Sequence, residues 1–245
     1  NIPHANNEAG GDVRAGKNGM EVPDHGSFSE KEWPDQEKGF ARMIEIIDSD
    51  VGRILDRLDE LGLAQNTLVL FSSDNGPHQE GGHKMNYFNS NGPLRGMKRD
   101  LYEGGIRVPL IVHWPGHIRP GVESDHISGF QDILPTLAEI AGKGVADTDG
   151  ISFAPTLLGD AGQQKKHPHL YWEFYEQGGK RAMRKGFWKA VQRNIRRSQN
   201  SPTELYDLSQ DLGETVDVSA QYPELVSEMK RLMDASHNDR MDVGL

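Results

Sequence analysis

One long apolar stripe followed by a strand constrains this chain most. Phe40, Met43, Ile44, Ile47, Val51, Ile54, Leu55, Leu58 and Leu61 recur at three- and four-residue spacing, which places them on one face of a helix. Gly62 stops that helix, and the aliphatic, β-branched run from Thr67 to Phe71 reads as a buried strand. Helix, short turn and strand in that order predict a crossover that delivers a strand to a parallel sheet, so the fold class is α/β. A second run, Val108 to His113, reads as another short buried strand, with His113 in the core and Trp114-Pro115-Gly116 closing it.

The polar residues that could carry chemistry lie between these two strands. Ser73-Asp74-Asn75-Gly76 follows the first strand, and ligands of open α/β sheets bind at such carboxyl ends. Asp74 and Asn75 offer two adjacent hard oxygens, suited to Ca²⁺ or Mg²⁺ rather than a thiophilic metal. Two are too few for Ca²⁺, which takes about 6–8 oxygens, and an ordinary Asp-Asn-Gly turn accounts for the same residues. Lys98 sits in a loop stiffened by Gly92, Pro93 and Gly96, which could aim its charge at an anion; Arg95 and Arg99 could do the same, or all three could be solvated. Glu103 and Arg107 flank a pair of glycines and read as a structural ion pair across a tight bend. His4, His78 and His83 could orient a substrate or move a proton near neutral pH, although a spacing of five between the last two is no metal motif.

Charge and composition exclude several classes. A net charge of −10 argues against nucleic acid or an anionic membrane as the main partner. The chain has no cysteine, so it has neither a disulfide framework nor a cysteine nucleophile, and no stretch approaches the length of a membrane span. A local exception in charge is the run from Lys180 to Arg197, where Lys180, Arg181, Arg184, Lys185, Lys189, Arg193, Arg196 and Arg197 occur without an acid. It is either a solvated strand face or a docking surface for an anionic polymer.

The rest of the chain divides near Gly162, into residues 1–162 and 163–245. The first 35 residues are polar and glycine-rich and read as loop. Asp132 is placed to cap a helix containing Pro135 and ending at Gly142. Beyond the boundary, aromatic-rich strands at 169–176, 181–191 and 204–208 precede an amphipathic helix over 223–235, which predicts a small antiparallel α+β subdomain.

Ser73-Asp-Asn-Gly76, the segment Gly92-Pro-Leu-Arg-Gly-Met-Lys98-Arg-Asp-Leu-Tyr-Glu-Gly-Gly-Ile-Arg-Val-Pro109 and Trp114-Pro-Gly resemble the C-terminal half of a type I, formylglycine-dependent sulfatase of the alkaline-phosphatase-like superfamily. The resemblance continues through Asp132-Ile-Leu-Pro-Thr-Leu137, Arg184-Lys-Gly-Phe-Trp-Lys189 and Glu204-Leu-Tyr-Asp-Leu208, and Ile2-Pro-His-Ala-Asn-Asn-Glu8 is similar to a loop carrying an active-site histidine. It implies a mostly parallel sheet flanked by helices, Asp74 and Asn75 as Ca²⁺ ligands, Lys98 and His4 as catalytic contacts to the sulfate group, and His78, His83 and Arg95 as substrate contacts. It also implies a sulfate ester on a sugar or polysaccharide, as in bacterial polysaccharide sulfatases, and a periplasmic or secreted enzyme. The Cys/Ser-x-Pro-x-Arg signature that yields formylglycine does not occur, nor do the family's further paired metal-binding aspartates. The resemblance therefore implies a C-terminal portion, inactive without an N-terminal segment. A phosphodiesterase or phosphonate hydrolase of the same superfamily and a non-catalytic anion-binding remnant are the alternatives.

Overall fold

The structure is a computed structural model that describes residues 3–6, 19–198 and 201–237. The predicted stripe folds as helix α1, Asp35–Glu60. Gly62, with φ of 66°, ends it: the amides of Gly62 and Leu63 donate to the carbonyls of Asp59 and Leu58, satisfying the last turn. Only its first turns are deeply covered. Phe40 and Met43 pack with Ala5 and Met20, whereas Ile54 remains 58% exposed. Gly39 lets the Met20 carbonyl approach, since a Cβ there would lie 2.0 Å from that oxygen. The segment around Met20, read from sequence as loop, is thus packed, although residues 1–2 and 7–18 of that stretch lie outside the described residues.

Strand β1, Val69–Ser72, follows as expected, but it pairs antiparallel with β2, Leu110–His113. This corrects the parallel sheet, for every strand pair among the described residues is antiparallel. A parallel return needs a crossover helix, and the only α-helix between these strands is the four-residue α2, Glu103–Ile106. β2 is also not buried: Leu110 is 40% and Ile111 60% exposed, and His113 faces solvent. A two-stranded ribbon has too few neighbours to cover both of its faces.

Helix α3, Ile133–Ile140, follows Asp132 at its N-cap position and ends at Gly142 as predicted, but the Asp132 side chain makes no capping hydrogen bond to it. Its fully buried carboxylate instead accepts from the amides of Gly129 and Ile151 and contacts His167 Nε2, tying three segments together. After the short helix α4, Ala154–Leu157, strands β3 (Leu170–Phe174), β4 (Lys180–Lys185), β5 (Trp188–Arg193) and β6 (Thr203–Asp207) form an antiparallel meander. The stretch 181–191, read as one strand, is a hairpin folded at Gly186-Phe187, with glycine at the position of positive φ. Alternation does the rest. Met183, Ala190 and Leu205 face helix α5, Pro223–Ser236, through Met229 and Met233; Ala182, Val191 and Tyr206 face Leu101 and Tyr102 of the first half.

The basic run does not form a free surface. Lys180 pairs with Asp100, Arg181 with Asp234, Arg184 and Lys189 with Glu103, Lys185 with Glu228 and Arg193 with Glu204. Five acids thus pair with six of its eight cations, which argues against an anionic-polymer surface there. Among the described residues no helix is long and apolar enough to cross a membrane.

Candidate active site

The loop leaving β1 is fixed by close backbone packing. The Gly76 amide donates to the Gly105 carbonyl at 2.9 Å, and a Cβ on Gly76 would lie 1.8 Å from the Gly104 carbonyl oxygen. Gly104 in turn approaches the Arg95 carbonyl, so the glycines of both loops meet where side chains would collide. The Lys98 amide donates to the Pro77 carbonyl at 2.8 Å, which ties the Lys98 loop to the loop leaving β1. Asp74 is exposed, and no hydrogen bond to its carboxylate occurs among the described residues. The Asn75 amide nitrogen donates to the Gly76 carbonyl, leaving its Oδ1 as the free donor atom for a cation. Among the described residues no three His, Asp or Glu side chains gather around a common point, so this chain offers two hard oxygens rather than a complete metal shell.

Lys98 and His4 are brought together from 94 residues apart, with Nζ 3.1 Å from Nε2. An ammonium has no acceptor, so Nε2 must carry the lone pair; Nδ1 then bears the proton and donates to the Ala5 carbonyl at 2.8 Å. The partners thus determine a neutral His4 tautomer with Nε2 aimed at the lysine. Glu80, absent from the sequence reading, completes the cluster. Its Oε2 accepts from Lys98 at 3.0 Å and its Oε1 from Arg99 at 2.6 Å. Partial burial raises the Glu80 pKa, but the hydrogen bonds from Arg99 and Lys98 outweigh it and hold the group at about 2. An acid among glycines gives no sequence signal of such a role.

The remaining predicted site residues face inward. His78 is buried; its Nδ1 accepts from the Glu80 amide at 3.0 Å, and burial followed by the neighbouring His83 lowers its pKa to about 4. His83 stacks on Phe40 with centroids 3.8 Å apart, and its Nδ1 lies 2.6 Å from Glu37 of α1. Both histidines therefore brace the loop against α1 rather than line an open substrate surface. Arg95 stacks on Tyr102 at 3.9 Å and donates to the Tyr206 hydroxyl and the Glu214 carbonyl. Its charge is spent on the C-terminal sheet, not on a substrate. Glu103 forms the anticipated pair with Arg107 and also receives Lys189 at 2.8 Å and Arg184 at 3.2 Å.

Two family models match the chain. One, described as sulfatase, covers residues 10–143; the other, described as N-sulphoglucosamine sulphohydrolase, C-terminal, covers residues 97–239. Human arylsulfatase A is 34% identical over 211 residues, a match covering 76% of this chain and 41% of that protein. The solved structure of Ps i-CgsB in complex with k-i-k-neocarrahexaose aligns with a TM-score of 0.74 at 28% identity, over 88% of this chain and 46% of that one. The structure of BT4656 in complex with its substrate D-glucosamine-2-N,6-O-disulfate aligns with a TM-score of 0.63 at 25% identity, over 82% of this chain and 40% of that one. The chain thus spans less than half the length of these relatives. Because the first model runs through α1, both early strands and the Lys98 loop, more than half of the sequence is accounted for and the chain belongs to the sulfatase family.

Proposed function

We propose that this chain supplies the sulfate-binding side of an active site that hydrolyses sulfate esters, and that its substrate is a sulfated sugar or polysaccharide. The observation that carries this reading is the convergence of Lys98 and His4, the two residues that the family resemblance assigns to the sulfate group. Lys98 neutralises a sulfate oxygen as charge develops there, and a water-poor setting makes such preorganised stabilisation effective. His4, anchored through Nδ1, presents Nε2 to take up a proton or, once protonated, to donate to the ester. Asp74 and Asn75 hold a hard divalent cation, Ca²⁺ rather than Mg²⁺, with ligands from outside this chain completing the shell. A cation held there would supply further positive charge to the sulfate oxygens. The formylglycine nucleophile comes from residues outside this sequence, which has no cysteine and no Ser-x-Pro-x-Arg segment. The sugar substrate is supported by the carbohydrate complexes of the two structural relatives, and a polysaccharide substrate favours a periplasmic or secreted enzyme.

The test is sulfate release from a sulfated oligosaccharide, followed by ion chromatography, using the chain alone and the chain with a formylglycine-bearing sulfatase segment. We expect turnover only in the combination, and a loss of about 10²–10³-fold in kcat for Lys98→Ala. Turnover by the chain alone would refute the division of labour. Full activity of Lys98→Ala would refute the role of the lysine, and faster release from an aryl phosphonate than from the sulfate would favour the phosphonate hydrolase alternative.

A further inference from the structure

Glu80 has a place inside the anion site that sulfate binding alone does not explain. Its carboxylate lies 3.0 Å from Lys98 Nζ, 2.6 Å from Arg99 and 4.0 Å from His4 Nε2. Its side chain and that of Lys98 are each 17% exposed, so solvent screens the arrangement only in part. The surrounding backbone is built to hold it there. Arg99 adopts a φ of 75°, a conformation that side chains other than that of glycine rarely take, and Lys180 Nζ fixes the Arg99 carbonyl at 2.9 Å. The Glu80 amide is bonded in turn to buried His78.

The charge arithmetic is simple. Lys98 and Arg99 bring two positive charges to the cluster; Glu80, partly buried between them, removes one, while Glu176, 3.7 Å from Arg99, is largely exposed and screened. A sulfate monoester carries one negative charge, whereas a phosphate monoester carries nearly two above neutral pH. We propose that Glu80 is the specificity-determining charge of this site: a carboxylate set beside Lys98 lowers the positive charge an ester meets and disfavours a dianion more than a monoanion of the same shape. The proposal rests on the sulfate-ester reading above. It extends to product release. Water and the ester, ROSO₃⁻, give the alcohol ROH, SO₄²⁻ and a proton that passes to solvent; the ester oxygen leaves with R and an oxygen from water takes its place on sulfur. The product then carries the extra charge that Glu80 opposes.

Methyl sulfate and methyl phosphate at pH 8 are probes of nearly equal shape and unequal charge. Their affinities would be measured by calorimetry in chelating buffer for the unsubstituted chain, Glu80→Gln, Glu80→Asp and Lys98→Ala, with circular dichroism and melting curves to confirm folding. We expect Glu80→Gln to raise methyl phosphate affinity relative to methyl sulfate by about tenfold, equivalent to about 1.4 kcal/mol. Glu80→Asp should keep the original preference. An equal fall in both affinities for Glu80→Gln would show that Glu80 merely positions Lys98 and would overturn the proposal, as would an unchanged ratio. Methyl sulfate binding that is absent, or indifferent to Lys98→Ala, would instead overturn the sulfate reading itself.

Discussion

At the residue scale, burial separates histidines that the sequence presents alike. His4 keeps an exposed ring edge and a directed lone pair, while His78 is enclosed and its protonated form is disfavoured. The pH consequence follows by linkage. The native pKa of His78 is about 4 against an ordinary value of 6.5, so between these limits the unfolded chain binds more protons. Its contribution is full above pH 6.5 and is lost as pH falls toward 4, by an amount on the order of 2 kcal/mol or less once residual solvent is allowed for. Melting temperatures measured from pH 4 to 7 should therefore show a shallower acid slope for His78→Phe than for the unsubstituted chain. Equal slopes would remove His78 from the account. His4 and Lys98 were legible as a pair only through family resemblance, because nothing in their separation of 94 residues specifies a contact. Glu80 was invisible for the same reason: its function depends on two cations brought to it by the fold.

At the element scale, the segment carrying Lys98 is held by the C-terminal sheet. Glu103, at the start of α2, receives Lys189 of β5 and Arg184 of β4, and its amide donates to Glu214 at 2.6 Å. Lys189→Met would leave Glu103 and Glu214 buried without their central cation, a loss of about 3–5 kcal/mol that denaturant unfolding would detect. Glu214 acts with the opposite pH sign. Burial raises its pKa to about 7, so its native form binds a proton where the unfolded one does not; its contribution is full below 4.5 and is lost as pH rises through 7. Glu214→Gln should raise the melting temperature more at pH 8 than at pH 5. A uniform effect at both would contradict the assigned ionisation. Element types were readable because stripe, alternation and glycine stops are local. Strand direction was not, because it depends on what returns the chain: over the 37-residue separation of Ser72 and Pro109 no helix is longer than one turn, and Ser72 Oγ donates to the Pro109 carbonyl.

At the scale of the whole molecule, the two halves differ in how far their apolar faces are covered. The C-terminal meander has covered faces, Leu101 and Tyr102 on one side and α5 on the other. The first half leaves Ile54, Ile111, Phe130 and Leu134 each close to 60% exposed, and its two-stranded ribbon has too few neighbours to cover both faces. The chain alone should accordingly self-associate, and Ile111→Lys should reduce that association in sedimentation velocity without lowering the melting temperature. A monodisperse unsubstituted chain at high concentration would contradict this. The antiparallel subdomain was legible in outline, apart from the hairpin read as one strand at 181–191, because its strands follow one another through short connections, whereas the β1–β2 pairing depends on a long return. The central claim is that Lys98 and His4 together hold a sulfate ester. A crystal structure of the chain grown with methyl sulfate tests it most directly. The account predicts a sulfate oxygen about 2.8 Å from Lys98 Nζ, with His4 Nε2, carrying a proton in the complex, donating to the same group. Methyl sulfate bound elsewhere, such as at Arg196 and Arg197, with the Lys98 cluster closed on Glu80, would contradict it.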